Sequence, residues 1–343
     1  MTDSQWQTLL DVIRGGAVRP LPVGFIIDSP WLPGYVGMSM MDYFSNEEMW
    51  FRANAKAVRY FPDVLFLPGF WPEFGMCTEP SAFGSRCIWS EDEFPFPEKV
   101  LSDLGAASTL TKPNPRTHGL LPFVLKRLQH YESRIQKEGH AIRFAVSRGP
   151  LNIASFLVGN TELMMGMMTQ PEETHALLRT VTEFVADWLA LQAETFRTID
   201  GVFLLDDLIG FLGEPQFRQF ALPYLKRIYQ SLDVSVKFLH NDARGIVSAP
   251  YLTELGVNLF NFSFEHSLAQ MKDLTSDAVV LLGNIPPRDV LANGSPEEVR
   301  GAVEASLRGV GDKNRIILSC GGGMPPGVPA DNIAAFCEAA MES

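Results

Sequence analysis

The sequence contains few cysteines and fewer basic than acidic residues. Its four cysteines, Cys77, Cys87, Cys320 and Cys337, are scattered and form no CxxC pair, which excludes a disulfide framework and makes a reducing cytoplasm the expected compartment. The chain has 28 Lys and Arg against 40 Asp and Glu, a formal net charge of -12. That balance argues against nucleic acid or an anionic membrane surface as the principal partner.

Long apolar segments and targeting signals are also missing. No apolar run reaches about 18 residues, so we expect no membrane span. The N-terminal segment 1–16 has an amphipathic helix pattern with acidic residues, and it lacks the basic and apolar regions of a signal peptide. The chain is 46% hydrophobic and long enough, at 343 residues, for one large α/β barrel or two average domains.

Eight short apolar runs, each ending in a polar residue or glycine, recur along the chain. They span 22–28, 63–69, 142–149, 201–207, 236–242, 258–263, 279–284 and 315–321. Continuous apolar runs of this length are typical of parallel strands that are buried on both faces. Helical periodicity fills many of the intervals, for example 161–196, 214–232 and 296–307, where Ser295 is a candidate N-cap.

This alternation predicts a (β/α)₈ barrel, with one domain over 1–343 and the barrel itself from about residue 20. A doubly wound sheet is the alternative, but no GxGxxG follows the first predicted strand. The segment 70–141 has no clean period and is rich in Pro, Trp and Phe. We interpret it as a long excursion after the second strand that covers the barrel mouth, with a hairpin around 77–90 and a helix at 122–139.

Polar residues follow most of the predicted strands, where the reactive groups of such barrels lie. These strand-end residues are Asp28, Asp206, Asp207, His240, Asp242, Asn261, Ser263, Asn284 and Cys320. We assign Asp206 and Asp207 as catalytic candidates. Asp28, Asn261 and Asn284, with Trp31 of the first loop, are candidates for substrate binding.

Three of these side chains have the donor types of a catalytic zinc site. His240 and Asp242 are two residues apart on one strand and therefore face the same way, and the end of the eighth strand approaches them across the mouth. His240, Asp242 and Cys320 would together leave one coordination position open. The alternative for each is structural: a hydrogen-bonded histidine, a turn aspartate and a small buried cysteine.

Several segments taken together resemble the superfamily of uroporphyrinogen decarboxylase and the cobalamin-dependent methyltransferases. They are the acidic pair 206–207, EPQF at 214–217, LPY at 222–224, FLHND at 238–242, GNIPP at 283–287, ILSCGGG at 317–323 and PADNI at 329–333. The resemblance implies a (β/α)₈ barrel with its site at the strand C-termini. From its spacing to Gly210, it favours Asp206 as the carboxylate that points inward.

The resemblance is closer to the methyltransferase branch. A decarboxylase of this superfamily is expected to have an arginine-rich segment after its first strand and an Asp at the second strand end. Here these places read IDSPWLP (27–33) and FLPGF (66–70), with neither. The methyltransferase branch typically binds zinc through His-x-Cys and a late Cys, and this chain has Asp242 at the middle position.

The resemblance implies a zinc-dependent methyltransferase that moves a methyl group between a small donor, such as a methoxylated compound, and a corrinoid protein. Because the chain has no DxHxxG segment, the cobalamin would be carried by that partner. Two alternatives stay open: a decarboxylase or lyase of the same superfamily, and a catalytically inactive barrel that only binds.

Overall fold

Eight short parallel strands form the centre of the fold in the part of the chain that the structure, a computed structural model, describes: residues 1–27 and 30–342. Their bounds, labelled here β1 to β8, are Gly24–Ile26, Leu65–Leu67, Phe144–Arg148, Gly201–Leu205, Val236–Asn241, Leu259–Phe262, Val280–Ile285 and Ile316–Cys320. Nearly all of their side chains are buried, as expected of strands covered on both faces. Each lies within one of the apolar runs or extends one residue beyond it.

The strands follow one another in the order of a (β/α)₈ barrel. Backbone ladders join β3 to β8 in sequence order, and a second ladder joins β1 to β2. The two groups meet where the Leu318 N–H of β8 donates to Pro22 O, 2.8 Å away, beside a parallel bridge between Val23 and Leu318. The fold prediction is therefore confirmed, with its N-terminal helix and its excursion after the second strand.

The N-terminal helix Asp3–Ile13 bridges the remaining edge, between β2 and β3. It begins at a capping box in which Thr2 and Gln5 exchange hydrogen bonds. The Gln5 amide also donates to Pro62 O and Val64 O just before β2, at 2.9 and 3.2 Å. On the other side, Met1 and Ala141 exchange two backbone hydrogen bonds just before β3. This edge is thus joined at its base by a helix rather than by a strand ladder.

Helices surround the strands, and all except the short helix Glu214–Gln216 pack buried apolar side chains against the core cluster. The first of them, Asp3–Ile13, is α1; the others, α2 to α14, span Leu32–Val36, Met40–Ser45, Glu47–Tyr60, Leu121–Lys137, Pro150–Val158, Asn160–Thr169, Pro171–Thr195, Glu214–Gln216, Leu222–Gln230, Leu252–Leu255, Leu268–Leu274, Pro296–Ser306 and Ala330–Met341. Ser295 caps α13 as predicted, in a capping box with Glu298. No helix in the described ranges is long and apolar enough to cross a membrane.

The excursion between β2 and β3 contains α5, Leu121–Lys137, close to the helix predicted at 122–139. Its hairpin is shorter and later than predicted, an antiparallel pair of Cys87–Ile88 and Phe96–Pro97. At the C-terminal end of β3, the guanidinium of Arg148 lies 3.0 Å from Glu73 and 3.2 Å from Glu79, both buried. This buried ion cluster attaches the excursion to the barrel mouth.

Candidate active site

The ends of β4 and β5 bring acidic residues and a histidine to one side of the barrel mouth. Leu205, the last residue of β4, lies opposite His240 in the ladder between the two strands. Register partners in neighbouring strands project from the same face, and successive residues alternate. Asp207 therefore lies on the His240 side and Asp206 on the other, so the expectation that Asp206 is the inward carboxylate is wrong.

Asp206 caps a helix. Its two carboxylate oxygens accept the N–H groups of Leu151 and Asn152, at 3.0 and 3.1 Å, in the first turn of α6. Gly149 leaves the room for it, because a Cβ there would lie 2.2 Å from Asp206 Oδ2. Complete burial raises the pKa of Asp206 to about 8. Asp206 thus connects the N-terminus of α6 to the end of β4.

Asp207 faces the mouth and is held by three neighbours. Its Oδ1 lies 3.5 Å from His240 Nε2 and accepts the N–H of Asp242 at 3.1 Å. Its Oδ2 accepts the side-chain amide of Asn152 at 3.3 Å. That amide is fixed in turn, because Asn152 Oδ1 accepts the N–H of Leu208 at 3.0 Å. Helix α6 therefore orients both members of the acidic pair.

His240 is buried, and Asn261 of β6 determines which of its ring nitrogens carries the proton. Asn261 Nδ2 donates to Leu282 O at 2.7 Å and to Cys320 O at 3.2 Å, so its Oδ1 is the atom left to accept. His240 Nδ1 lies 2.7 Å from that oxygen and must donate to it. The lone pair of neutral His240 is then on Nε2, which faces Asp207.

Asp207, His240 and Asp242 have the geometry of a cation site. One ligand atom from each lies within 4.8 Å of those of the other two. Asp242 lies at the rim, where its partly enclosed position and then the Asp207 carboxylate raise its pKa to about 6, although part of the side chain meets solvent. Two carboxylates this close repel each other, and a divalent cation would relieve that repulsion. One imidazole nitrogen and two carboxylate oxygens suit Zn²⁺.

Cys320 lies outside this group of three. Its thiol is fully buried and contacts Gly322 O, with Sγ and the oxygen 3.4 Å apart. Burial raises the pKa of Cys320 to about 12, which disfavours the thiolate that a metal requires. The backbone that follows Cys320 nevertheless reaches the site, because a Cβ built on Gly322 would lie 3.2 Å from Asp242 Cβ. Its role as a ligand stays a prediction.

Three of the four predicted substrate-binding residues, Trp31, Asn261 and Asn284, make contacts within the protein. Trp31 is fully buried, donates from Nε1 to Val328 O at 3.1 Å and stacks on Tyr35. Asn261 lies beneath His240, and the amide of Asn284 donates to His266 O. Asp28 lies outside the described residues. Substrate contacts by these four side chains stay predictions.

Two polar residues at the mouth, Asn152 and His266, were not among the predicted site residues. Asn152 positions Asp207, and the signal for it was a polar residue in the first helical turn after a strand end. His266, in the loop after β6, is 7% exposed, and its Nε2 has no hydrogen-bond partner among the described residues. No motif distinguishes such a histidine from an ordinary loop residue.

Comparisons with known proteins agree with this fold. The curated relatives include uroporphyrinogen decarboxylase of Dichelobacter nodosus, 27% identical over 272 residues that cover 77% of this chain and 76% of that protein. They also include methylated-thiol–coenzyme M methyltransferase of Methanosarcina mazei, 24% identical over 280 residues, which cover 79% and 72%.

Solved structures show the same fold. A methyltransferase from Methanosarcina mazei superimposes with a TM-score of 0.81 at 19% identity, covering 98% of each chain. A B12-independent methionine synthase from Shewanella sp. W3-18-1 has a TM-score of 0.58 at 11% identity, covering 93% of this chain and 95% of that one. The family model described as uroporphyrinogen decarboxylase (URO-D) matches residues 5–343. The chain therefore belongs to the uroporphyrinogen decarboxylase family.

Proposed function

We propose that the protein is a zinc-dependent methyltransferase that moves a methyl group between a small donor, such as a methoxylated compound, and a corrinoid protein. The observation that carries the proposal is the group Asp207, His240 and Asp242 at the ends of β4 and β5. The same end of the barrel carries the active sites of this architecture. The similarity to a methylated-thiol–coenzyme M methyltransferase supports methyl transfer, and the similarity to several uroporphyrinogen decarboxylases keeps decarboxylation as the alternative.

The chain's own residues would hold the ion and position the donor. His240 presents its Nε2 lone pair because Asn261 fixes the Nδ1 proton. Asp207 is oriented by Asn152, and Asp242 by the hydrogen bond from its N–H to Asp207. When bound there, Zn²⁺ would supply a Lewis acid for the leaving oxygen or sulfur of the donor. A shell in which Cys320 replaces Asp207 is the alternative ligand set.

Asp206 and Asp207 would have different roles. Asp207 faces the mouth, and it can hold a ligand or accept a proton at Oδ1. Asp206 would act through α6, because both of its oxygens accept backbone N–H groups. Asp206 is therefore proposed as a positioning residue rather than as the proton donor. Decarboxylation has less support, since the segment 27–33 that follows β1 contains no arginine to bind a polyanionic substrate.

The test measures metal content and methyl transfer on the same preparations. Purified protein, loaded with zinc, is mixed with cob(I)alamin and a panel of methoxylated or methylthio compounds, and formation of methylcobalamin is followed by absorbance. We expect about one zinc per chain and donor-dependent methylation, both lost in His240→Ala. His130→Ala is the matched control, because His130 is exposed on α5 and should retain both.

Two results would contradict the proposal. Wild-type protein that binds no zinc would remove the Lewis acid, and release of CO₂ from uroporphyrinogen would favour the decarboxylase. Zinc-edge absorption then distinguishes the ligand sets. A shell of nitrogen and oxygen supports Asp207, whereas a sulfur at about 2.3 Å supports Cys320.

A further inference from the structure

A buried arginine in the excursion has no acidic partner. Arg127 of α5 is only 8% exposed, and its Nη2 donates to Phe44 O at 2.8 Å. Its Nη1 is also buried and has no hydrogen-bond partner among the described residues. Arg134 of the same helix pairs with Glu48, but no carboxylate in the described ranges pairs with Arg127. A buried charge without a counter-ion is unfavourable, so a bound anion would stabilise this guanidinium.

Arg127 lies in the wall of a surface cavity between α3 and α5. The cavity has a volume of about 710 Å³, and Phe44, Phe74 and Phe123 line it beside Arg127. Phe123 is one helical turn before Arg127, on the same face of α5, and its ring is 62% exposed. The rings of Phe44 and Phe74 stack, with their centroids 6.3 Å apart. The cavity therefore presents aromatic surface next to a cation.

The charged side chains of the cavity favour an anion. Lys126 lines it as well, is exposed and forms no ion pair among the described residues. Glu47 is the acid in the same wall, but it is exposed to solvent, and in this part of the structure it pairs with neither cation. The Cζ atom of Arg127 lies 5.0 Å from the centroid of Phe74, so the ring holds the guanidinium in place. A guanidinium has several N–H donors and Phe44 O accepts from one nitrogen, so others remain for a carboxylate.

We propose that this cavity binds a small aromatic carboxylate. The carboxylate would accept hydrogen bonds from the Arg127 guanidinium and the Lys126 ammonium, and it would supply the counter-ion that Arg127 lacks. The aromatic ring of the ligand would pack against the exposed ring of Phe123, and this contact favours an aromatic ligand over inorganic phosphate. The site is independent of the proposed methyl transfer, because none of these residues belongs to the proposed metal site.

Isothermal titration calorimetry on the full chain, treated with a chelator to remove metal, tests the proposal. Sodium benzoate is the probe. Benzamide provides the ring without the charge, and inorganic phosphate provides the charge without the ring. We expect one benzoate per chain, bound at least about 10-fold more tightly than either of the other two, because only benzoate uses the cation and the aromatic surface together.

Three variants and one control show where benzoate binds. Arg127→Met should lose benzoate binding, and Lys126→Gln should weaken it by about 2- to 5-fold, as expected of an exposed ion pair. The control is Lys137→Gln, which changes an exposed lysine in the last turn of α5 and should bind benzoate as the wild type does. His240→Ala should also bind benzoate, because the proposed metal site does not line this cavity.

Chemical modification of the wild-type protein gives a second measurement. Saturating benzoate should slow the acetylation of Lys126 relative to that of Lys137, followed by peptide mapping. Wild-type protein that does not bind benzoate, that binds phosphate more tightly, or that shows no protection of Lys126 would overturn the proposal, as would loss of benzoate binding in His240→Ala. If Arg127→Met fails to fold, the protection of Lys126 and the titration of Lys126→Gln still decide.

Discussion

The contact between Asn261 and His240 makes a prediction that can be worked out from its distances. In Asn261→Leu the side chain keeps a similar volume but loses its hydrogen bonds to His240, Leu282 and Cys320. The imidazole N–H left without an acceptor costs about 1–3 kcal/mol, and each carbonyl, which has two lone pairs, about 1 kcal/mol. We therefore expect the free energy of unfolding to fall by about 3–5 kcal/mol, measured by urea denaturation.

The same substitution should weaken zinc binding, because an outer partner that fixes a metal-binding histidine is worth about 10–100-fold in affinity. Competition with a chromophoric chelator measures the loss. The variant Asn261→Asp separates the effect on the His240 ring orientation from the effect on the stability of the protein. Its carboxylate can still accept from His240 Nδ1, but it faces the two carbonyls without a donor. We expect this variant to lose stability while it retains most of the zinc affinity.

The tautomer itself can be observed. Nitrogen NMR of metal-free protein labelled in its six histidines should show His240 protonated on Nδ1, with His240→Gln providing the assignment. In Asn261→Leu the Nδ1–H form should lose its preference. A wild-type His240 that carries its proton on Nε2 would refute the reasoning, because the Asn261 amide would then be oriented the other way.

Three further predictions concern the acidic pair and the ion cluster. Asp207→Asn should lower zinc affinity by more than about 10-fold in the chelator assay, whereas Glu265→Gln, an exposed acid of the same rim, should not. Because burial raises the pKa of Asp206 from 3.8 to about 8, its folded-state protonation stabilises the protein at low pH, and this contribution declines as pH rises between those values. The free energy of unfolding of Asp206→Asn should not show that decline between pH 3.8 and about 8. Parallel pH profiles of stability for the wild type and Asp206→Asn would contradict the raised pKa of Asp206. Arg148→Met removes the guanidinium that pairs with the two buried carboxylates of Glu73 and Glu79 and should cost about 3–5 kcal/mol. Arg116→Met, in an exposed pair, should cost less than about 1 kcal/mol.

The strands were predictable because a strand buried on both faces needs a continuous apolar run. Phe144–Arg148 and Ile316–Cys320 each lie within such a run, and the polar residue or glycine that ends the run marks the rim. The excursion was harder to predict. Its antiparallel pair at Cys87–Ile88 is only two residues long, which is too short for any period to be recognised.

The sequence predicted which residues lie at the strand ends, but not which of their side chains contact one another. His240 and Asp242 share a face by their spacing alone, and the structure brings them together with an acidic residue. Which of Asp206 and Asp207 joins them depends on the register of β4 against β5, and a shift of one residue reverses the answer. The contact between Asn261 and His240 depends in the same way on the register of β5 against β6.

The way the barrel is joined also affects how the chain can fold during synthesis. The edge of β1 that faces β8 has no partner until Leu318 has been made, and α1 finds its second attachment only when Ala141 is present. Contacts between residues this far apart in sequence form slowly, because a long loop must first be closed. A nascent chain would therefore expose the first two strands through most of translation. Chains that stop before β8 should be prone to aggregate through that open edge.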